Sequence, residues 1–443
     1  MRDAADDAFT PIDDALSRLE AALSPLVGIV TCTVSTTHTP DESSLPNYAC
    51  ELASATRTLG APTVAFGSGA HPDARQARAA AIGEAIERYS GVFVPFERVH
   101  RTTARDLGEA AVRPSRFALF HPSQFGIPRF PLVPFTDETT TTFVEGISLA
   151  DGVAALLPAE LVYLRRPAPL LAPIGYATSS GLACGASFAE AALGALLEVV
   201  ERDAVMLAWK CRLSLPLLDW SEDDELAAID SRYFEPTGVR FRVIDASGLL
   251  DVPTAISVLR GPLGFGAALS VGAAAAGSVR TAWLKAIAES FGVYRWLRSQ
   301  AATDHAAPVD PEAIETFDDH MRYYATEQQA ALAGFLDASG ERRPTGEIAC
   351  LEGSTPWAQI DAVVERLARH GVSAYAIDVT SPDVRELGLS VVRVIAPELC
   401  PLDVSHRARF LGGTRLVTAA HRAGLAPAPF DVTDLNPLPH PFP

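Results

Sequence analysis

The sequence predicts an α+β fold with antiparallel or mixed sheets, and three observations carry that prediction. Strand-like stretches such as VRFRVIDAS (239–247), PTAISVLRG (253–261) and LSVVRVIAPEL (389–399) mix with helical segments without alternating strictly with them. The long, continuously apolar strands of a doubly wound parallel sheet are missing. A unit of strand, small-residue turn and helix recurs three times, at about 62–91, 174–210 and 267–300, which is the mark of an internal repeat.

Taken in order, residues 11–24 read as an amphipathic helix and 26–36 (LVGIVTCTVST) as a β-rich stretch, with 37–60 polar and loop-like. The first repeat unit follows. Residues 92–170 are rich in Pro, Thr and Phe and read as short strands joined by loops. After the second unit come the strands at 239–247 and 253–261, with GPLGFG (261–266) as the loop leading to the third. Residues 311–337 read as one or two helices, and a helix at 358–370 precedes strands at 373–380 and 389–399. The proline-rich end APAPFDVTDLNPLPHPFP is too irregular for helix or sheet. At 443 residues several subdomains are expected. They are a lead-in over 1–60, a core of three repeat units over 61–300, a C-terminal α/β part over 301–426 and a tail over 427–443.

Composition narrows the function. A formal net charge of −18 argues against a nucleic-acid partner, because phosphate backbones need clustered cations. No apolar stretch approaches the ~20 residues of a membrane span, and the acidic start MRDAADDAF lacks the apolar centre of a signal peptide. Cysteines at 32, 50, 184, 211, 350 and 400 show no CxxC and no close Cys/His spacing, so zinc is unsupported and reduced thiols in the cytoplasm are expected. Neither a Walker G-x-x-x-x-G-K-[ST] nor the kinase H-R-D and D-F-G occurs.

The chemistry is concentrated in the repeat. In GEAIERYSG (83–91), Glu84 and Glu87 share a helix face with Arg88 beside them; LLEVVERDA (196–204) repeats the arrangement with Glu198, Glu201 and Arg202. In the third unit Glu289 takes the first acidic place and Gly292 stands where the second would be. A solvated face, or i,i+4 pairing with Arg, explains each helix separately. It does not explain why apolar helices agree on where to put carboxylates. Buried carboxylates need partners, and oxygen-rich clusters suit Mg2+ or Ca2+ rather than zinc. More carboxylates than one ion needs suggests several Mg2+ ions clamping a polyphosphate. Arg88 and Arg202 would face phosphate oxygens, Lys285 one turn before Glu289 could join them, and turns such as Gly67-Ser68-Gly69 can offer backbone N–H groups. On residues alone, an ATP·Mg enzyme with a non-Walker site is favoured, with buried salt bridges as the competing role for the arginines.

FGSGAHPDARQARAAAIGEAIERYSG, ATSSGLACGASFAEAALGALLEVVERDA and AWLKAIAES resemble, in order and spacing, the three ATP-binding motifs of the YcaO family, over roughly residues 20–443. The resemblance implies an ATP-dependent enzyme acting on the peptide backbone. By position, Glu84, Glu87, Glu190, Glu198, Glu201 and Glu289 would be the Mg2+–nucleotide ligands, with Arg88, Arg202, Lys285 and Ser68 at phosphate. Glu190, in a first helical turn, could equally be compensating the helix dipole. Gly67-Ser68-Gly69 stands where many relatives carry Gly-Lys-Gly, Ala186 where many carry Asn, and the third motif has no Gln.

The P-x-P-x-P ending PHPFP (439–443) resembles the azoline-forming cyclodehydratases of that family, with the Pro443 carboxylate and His440 as candidate general bases. Terminal residues rarely carry the core, so this tail is expected to be dispensable for stability. The implied partners are a ribosomal precursor peptide, a leader-binding protein of the E1-like or RRE-containing kind, and in some systems a flavin-dependent azoline dehydrogenase; a homodimer is expected. A thioamide- or amidine-forming relative and a non-catalytic ATP-binding scaffold are the alternatives.

Overall fold

A computed structural model describes residues 8–39, 41–64, 66–263, 266–302 and 309–443. The chain forms two compact units, each assembled from separate stretches: 1–36, 46–199 and 352–399 in the first, 37–45, 200–351 and 400–443 in the second. This interleaving differs from the four consecutive segments expected. The reason is strand pairing between distant parts of the chain, as where Val391 pairs with Cys184 and Ala376 with Ile147.

The first unit holds two sheets. Val30–Ser35, Asn47–Leu52 and Phe66–Ala70 form an antiparallel three-stranded sheet. Its middle strand lies inside the segment read as loop, where only pairing on both edges reveals it. The second sheet runs His100–Thr102, Thr141–Ser148, Tyr375–Asp378, Ser390–Ile395 and Leu182–Gly185, with Ala154–Pro158 paired to Thr141–Ser148. Helices Ile12–Glu20 and Pro356–Arg369 belong to this unit as well.

In the second unit the sheet order is Gly266–Ala275, Thr254–Leu263, Arg240–Asp245, Leu217–Asp219 and Arg342–Pro344. Its last pair is parallel and the others antiparallel, so the sheet is mixed. Leu263 pairs with Gly266, and the centre of the GPLGFG loop, 264–265, lies outside the described residues. The helical reading of 311–337 resolves into Phe317–Tyr323 and Glu327–Leu332. Trp209, Tyr324, Leu336, Leu416 and Phe442 are among the side chains of this unit's core.

The repeat is geometric as well as sequential. Strands Phe66–Ala70, Leu182–Gly185 and Gly266–Ala275 precede helices Ala74–Gly91, Phe188–Lys210 and Val279–Ala302. A Cβ on Gly67 would stand 2.4 Å from Ala81 O and 2.6 Å from Ala85 N. One on Gly272 would stand 2.4 Å from Ala286 O and 2.6 Å from Ser290 N, the same helix positions of the third unit. In the second unit the close approach falls nearer the helix start, where a Cβ on Gly185 would stand 2.5 Å from Ala191 N, while one on Gly181 (φ +78°) would meet the Val199 side chain and Val394 O. In the first and third units the glycine lets the strand backbone touch the helix backbone at the same helix positions. Gly272→Ala, which would overpack this contact, is expected to cost about 1–3 kcal/mol. A lower urea midpoint in equilibrium unfolding is the measurement; an unchanged midpoint would show that strand and helix can part freely.

Candidate functional site

In the first and third units the close strand–helix approach places the helix's first acidic residue under its strand. Glu84 Oε2 accepts the Ser68 N–H at 2.7 Å and the Ser68 hydroxyl at 3.3 Å, while its other oxygen takes Arg88 Nη2 at 3.1 Å. Glu289 Oε2 accepts the Ala273 N–H at 2.6 Å, the same bond in the third unit. Glu289 therefore occupies the first acidic place in space as in sequence.

Glu87, one turn on from Glu84, sits differently. Its carboxylate lies 3.7 Å from Arg88 Nε, outside hydrogen-bond range. Burial pushes its pKa well above the usual carboxylate range; Arg88 opposes the shift, and the like charges of Glu198 and Glu84 add to it. Arg88 is half-buried, and its desolvation disfavours the charge, yet Glu87, Glu84 and Glu198 outweigh that and raise its pKa.

The same electrostatic cluster contains a residue that the sequence reading missed. Arg393 lies fully buried on Ser390–Ile395, brought down to about 10 by burial against the pull of Glu198 and Glu87. It donates to the carbonyls of Ser180 (2.6 Å), Thr178 (2.7 Å) and Leu161 (3.1 Å). A lone charge in the middle of an apolar strand was the available signal.

Three carboxylates, Glu84, Glu87 and Glu198, thus face two guanidiniums in the first unit. The Nε–H groups of Arg88 and Arg393 are buried and make no hydrogen bond. Excess buried negative charge beside unsatisfied cationic donors fits a hard cation carrying an anionic ligand. Among the described residues no three His, Cys, Asp or Glu side chains close into a preformed metal site.

Glu190 is not with these groups. Its oxygens accept the backbone N–H groups of Thr10 and Ala186, and its own N–H donates to the Ser187 hydroxyl oxygen at 3.2 Å. These bonds lie at the start of the helix Phe188–Lys210. In the second unit Glu201 is buried with Arg202 Nη1 at 3.4 Å, and Lys285 is exposed one turn before Glu289.

The tail corrects two expectations. His440 is buried and its ring nitrogens are committed: Nε2 lies 2.7 Å from Asp403 O, and Nδ1 accepts the Phe442 N–H at 3.2 Å. Burial first, and then the stacked His320 ring at 3.9 Å, hold its pKa well below the ordinary histidine value. A ring so occupied is a poor general base, and its evident role is to shape the tail. Nor is the tail peripheral. Phe442 is 0% exposed in the core, Trp209 Nε1 donates to Leu438 O at 3.1 Å, and Tyr324 donates to Pro439 O at 2.6 Å. Pro443 remains partly exposed at the end of this anchored segment.

The family model described as YcaO cyclodehydratase, ATP- and Mg2+-binding, matches residues 68–400. This chain belongs to the YcaO family. Its mixed α+β fold is that of solved YcaO structures, and ATP and Mg2+ are the cofactors of the family. A heterocyclase solved in complex with substrate and cofactor is similar at 24% identity over 98% of this YcaO chain and 57% of its own, with a TM-score of 0.79. The heterocyclase TruD is similar at 25% identity over 82% of this chain and 50% of its own, TM-score 0.65. YcaO from Methanopyrus kandleri, bound with AMPPCP and Mg2+, shares 18% identity over 90% and 94% of the two chains, TM-score 0.61. This chain spans about half the length of the two heterocyclases. No curated protein matches it.

Two departures from the common YcaO motifs have structural consequences. Ser68, where many relatives carry Lys, spends both its N–H and hydroxyl on Glu84. Ala186, where many carry Asn, serves through its backbone, donating to Glu190 and accepting Arg18 Nη1 at 2.8 Å.

No helix among the described residues is long and apolar enough to cross a membrane. All six cysteines are free thiols.

Proposed function

We propose that this chain is an ATP-dependent peptide cyclodehydratase, converting Cys, Ser or Thr of a ribosomal precursor peptide to thiazoline or oxazoline. The observation that carries the reading is the half-buried Glu84–Glu87–Arg88 cluster, held on a repeated strand–helix unit within a YcaO chain. In the proposed reaction the peptide's thiol or hydroxyl adds to the preceding backbone carbonyl carbon. The former carbonyl oxygen, a poor leaving group, accepts the γ-phosphoryl of ATP and departs as phosphate; ADP is the other product, and the net change in the peptide is loss of one water.

Glu84, Glu87, Glu198, Glu201 and Glu289 are the groups proposed to hold Mg2+, whose contribution is to neutralise phosphate charge. Arg88, Arg202 and Lys285 orient phosphate oxygens, and catalysis of this kind is mainly positioning and charge stabilisation. Glu190 and Ser68 act through the backbone bonds they make. The Pro443 carboxylate is the proposed base, delivered by a segment whose conformation the core already holds. The cytoplasm, with its reducing thiol chemistry, is the proposed compartment.

The proposed partners are the precursor peptide and a leader-binding protein of the E1-like or RRE-containing kind, with a second copy of this chain as homodimer partner and a flavin-dependent dehydrogenase where rings are oxidised. An extended precursor incurs an ordering cost on binding. The chain alone is therefore expected to cyclise slowly, and the leader-binding partner to raise turnover about 10²–10⁴-fold through effective concentration. Mass spectrometry of the precursor, scoring one water lost per ring with and without partner, is the test. Equal rates would show unaided substrate recognition, and ATP hydrolysis with no mass change under either condition would point to a scaffold. Sulfur incorporation without water loss would point to a thioamide-forming enzyme.

A further inference from the structure

One strand of the second unit has an edge without a neighbour along most of its length. Leu217–Asp219 meets Arg240–Asp245 at a single pair, Leu217 with Ile244, where the Asp245 N–H reaches Pro216 O at 2.8 Å. Backbone groups alternate sides along a strand. Asp245, Val243, Phe241 and Val239 therefore point toward this edge, whereas Arg240, Arg242 and Ile244 point toward Thr254–Leu263. The Val239 N–H is taken by the Thr237 hydroxyl at 3.1 Å. Beyond the Leu217 pair, the N–H and C=O of Phe241 thus face no strand among the described residues, and exposed edge groups of this kind are templates for pairing.

A groove of about 810 Å3 reaches from this edge, at Trp220, Asp230 and Phe241, over the sheet face that carries Arg240, Arg242 and Arg260. Its chemistry alternates as a strand's does. Arg240 and Arg242 are both exposed and, two apart, lie on one face. Of the lining carboxylates, Asp337 pairs with Arg260 at 2.9 Å, Asp230, its pKa raised by burial, accepts Trp220 Nε1 at 3.0 Å, and the exposed Glu235 accepts the Ser231 hydroxyl at 2.8 Å. Arg242 donates to the backbone oxygen of Asp337, leaving its charge unneutralised by that bond. On the other face Phe241 stacks on Trp220, with ring centroids 5.9 Å apart and planes at 7°.

We infer that this edge docks an extended peptide segment of another polypeptide by strand addition. The segment carries acidic residues at alternate positions to meet Arg240 and Arg242, and apolar residues between them to meet the Trp220–Phe241 stack. Main-chain pairing supplies affinity and the side-chain alternation supplies selectivity. The inference stands apart from the ATP chemistry, and its test uses no turnover.

The probe is a fluorescein-labelled, amidated hexapeptide of alternating Glu and Val, titrated into the full-length chain and followed by anisotropy. Saturable binding is expected, weakened at least tenfold in the Arg240→Glu/Arg242→Glu double variant and absent for the Lys/Val counterpart. N-methylating every second amide of the probe, in either register, tests pairing on the unaltered protein. One register should lose at least tenfold and the other little. Absence of saturation, equal binding by both N-methylated probes and the parent peptide, or equal binding by the charge-reversed variant would each overturn the inference. So would a probe that fails to bind together with a double variant that sediments as monomer while the parent is dimeric, which would make the edge a self-association surface.

Discussion

Glu87→Gln is expected to abolish ATP turnover while leaving the protein at least as stable as its parent at neutral pH. The two outcomes share one cause. Glu87 is a buried carboxylate whose positive neighbour stands 3.7 Å away, so its charge is poorly compensated until a cation arrives. Its folded pKa lies above the unfolded value, so in the window between them the folded state binds more protons. Stability contributed by the protonated form is therefore present below the unfolded pKa and lost as pH rises through the folded one. Gln keeps the shape and removes that penalty, so the apo variant should melt no lower than the parent at pH 7–8, with any gap closing on acidification. It also removes a proposed Mg2+ ligand, and turnover should fall by at least ~10²-fold, the scale on which lost electrostatic stabilisation acts. Glu201→Gln should lose turnover similarly. Near-normal ATP hydrolysis by both variants would end the multi-Mg2+ reading, and a large drop in melting temperature for Glu87→Gln would show that the carboxylate is compensated within the protein.

Removing Pro439 to Pro443 is expected to end cyclisation and also to destabilise the fold. The first effect follows from loss of the Pro443 carboxylate. The second follows from burial: Phe442 is 0% exposed within the core cluster of the second unit, and truncating such a side chain to Ala typically costs about 3–5 kcal/mol. The deletion further strips acceptors from the Tyr324 hydroxyl and from the His320 ring, whose Nδ1 lies 2.9 Å from His440 O. Two smaller changes separate stability from chemistry. Phe442→Ala should lower the urea midpoint markedly. A single Gly appended to Pro443, which is partly exposed, should leave the midpoint unchanged and displace only the carboxylate. Full cyclisation by the extended chain would remove the carboxylate from the mechanism. An unchanged midpoint in Phe442→Ala would mean that the tail merely rests on the core.

The sequence determined what is local. Small residues followed by an apolar helix with Glu at a fixed place form a pattern within about thirty residues, so the repeat was legible, and Glu289 could be set opposite Glu84 before any bond to Ala273 or Ser68 was seen. The close contacts of Gly67 and Gly272 likewise lie within their own strand–helix unit, whereas Gly181 also meets Val394 O from a distant strand. Tertiary structure alone decided the rest, because it depends on residues far apart in the chain. Arg393 joins Glu87 and Glu198 only because Ser390–Ile395 pairs with Leu182–Gly185. Glu190 is drawn to backbone N–H groups by an N-terminal segment that returns to the start of its helix. His440 becomes a buried, hydrogen-bonded ring only because Asp403 and His320 surround it. Proline content excluded α-helix and strand from the tail, which holds one 3-10 turn at Val432–Asp434, but burial is a property of what closes around a segment, and nothing in PHPFP itself encodes Trp209, His320 and Tyr324.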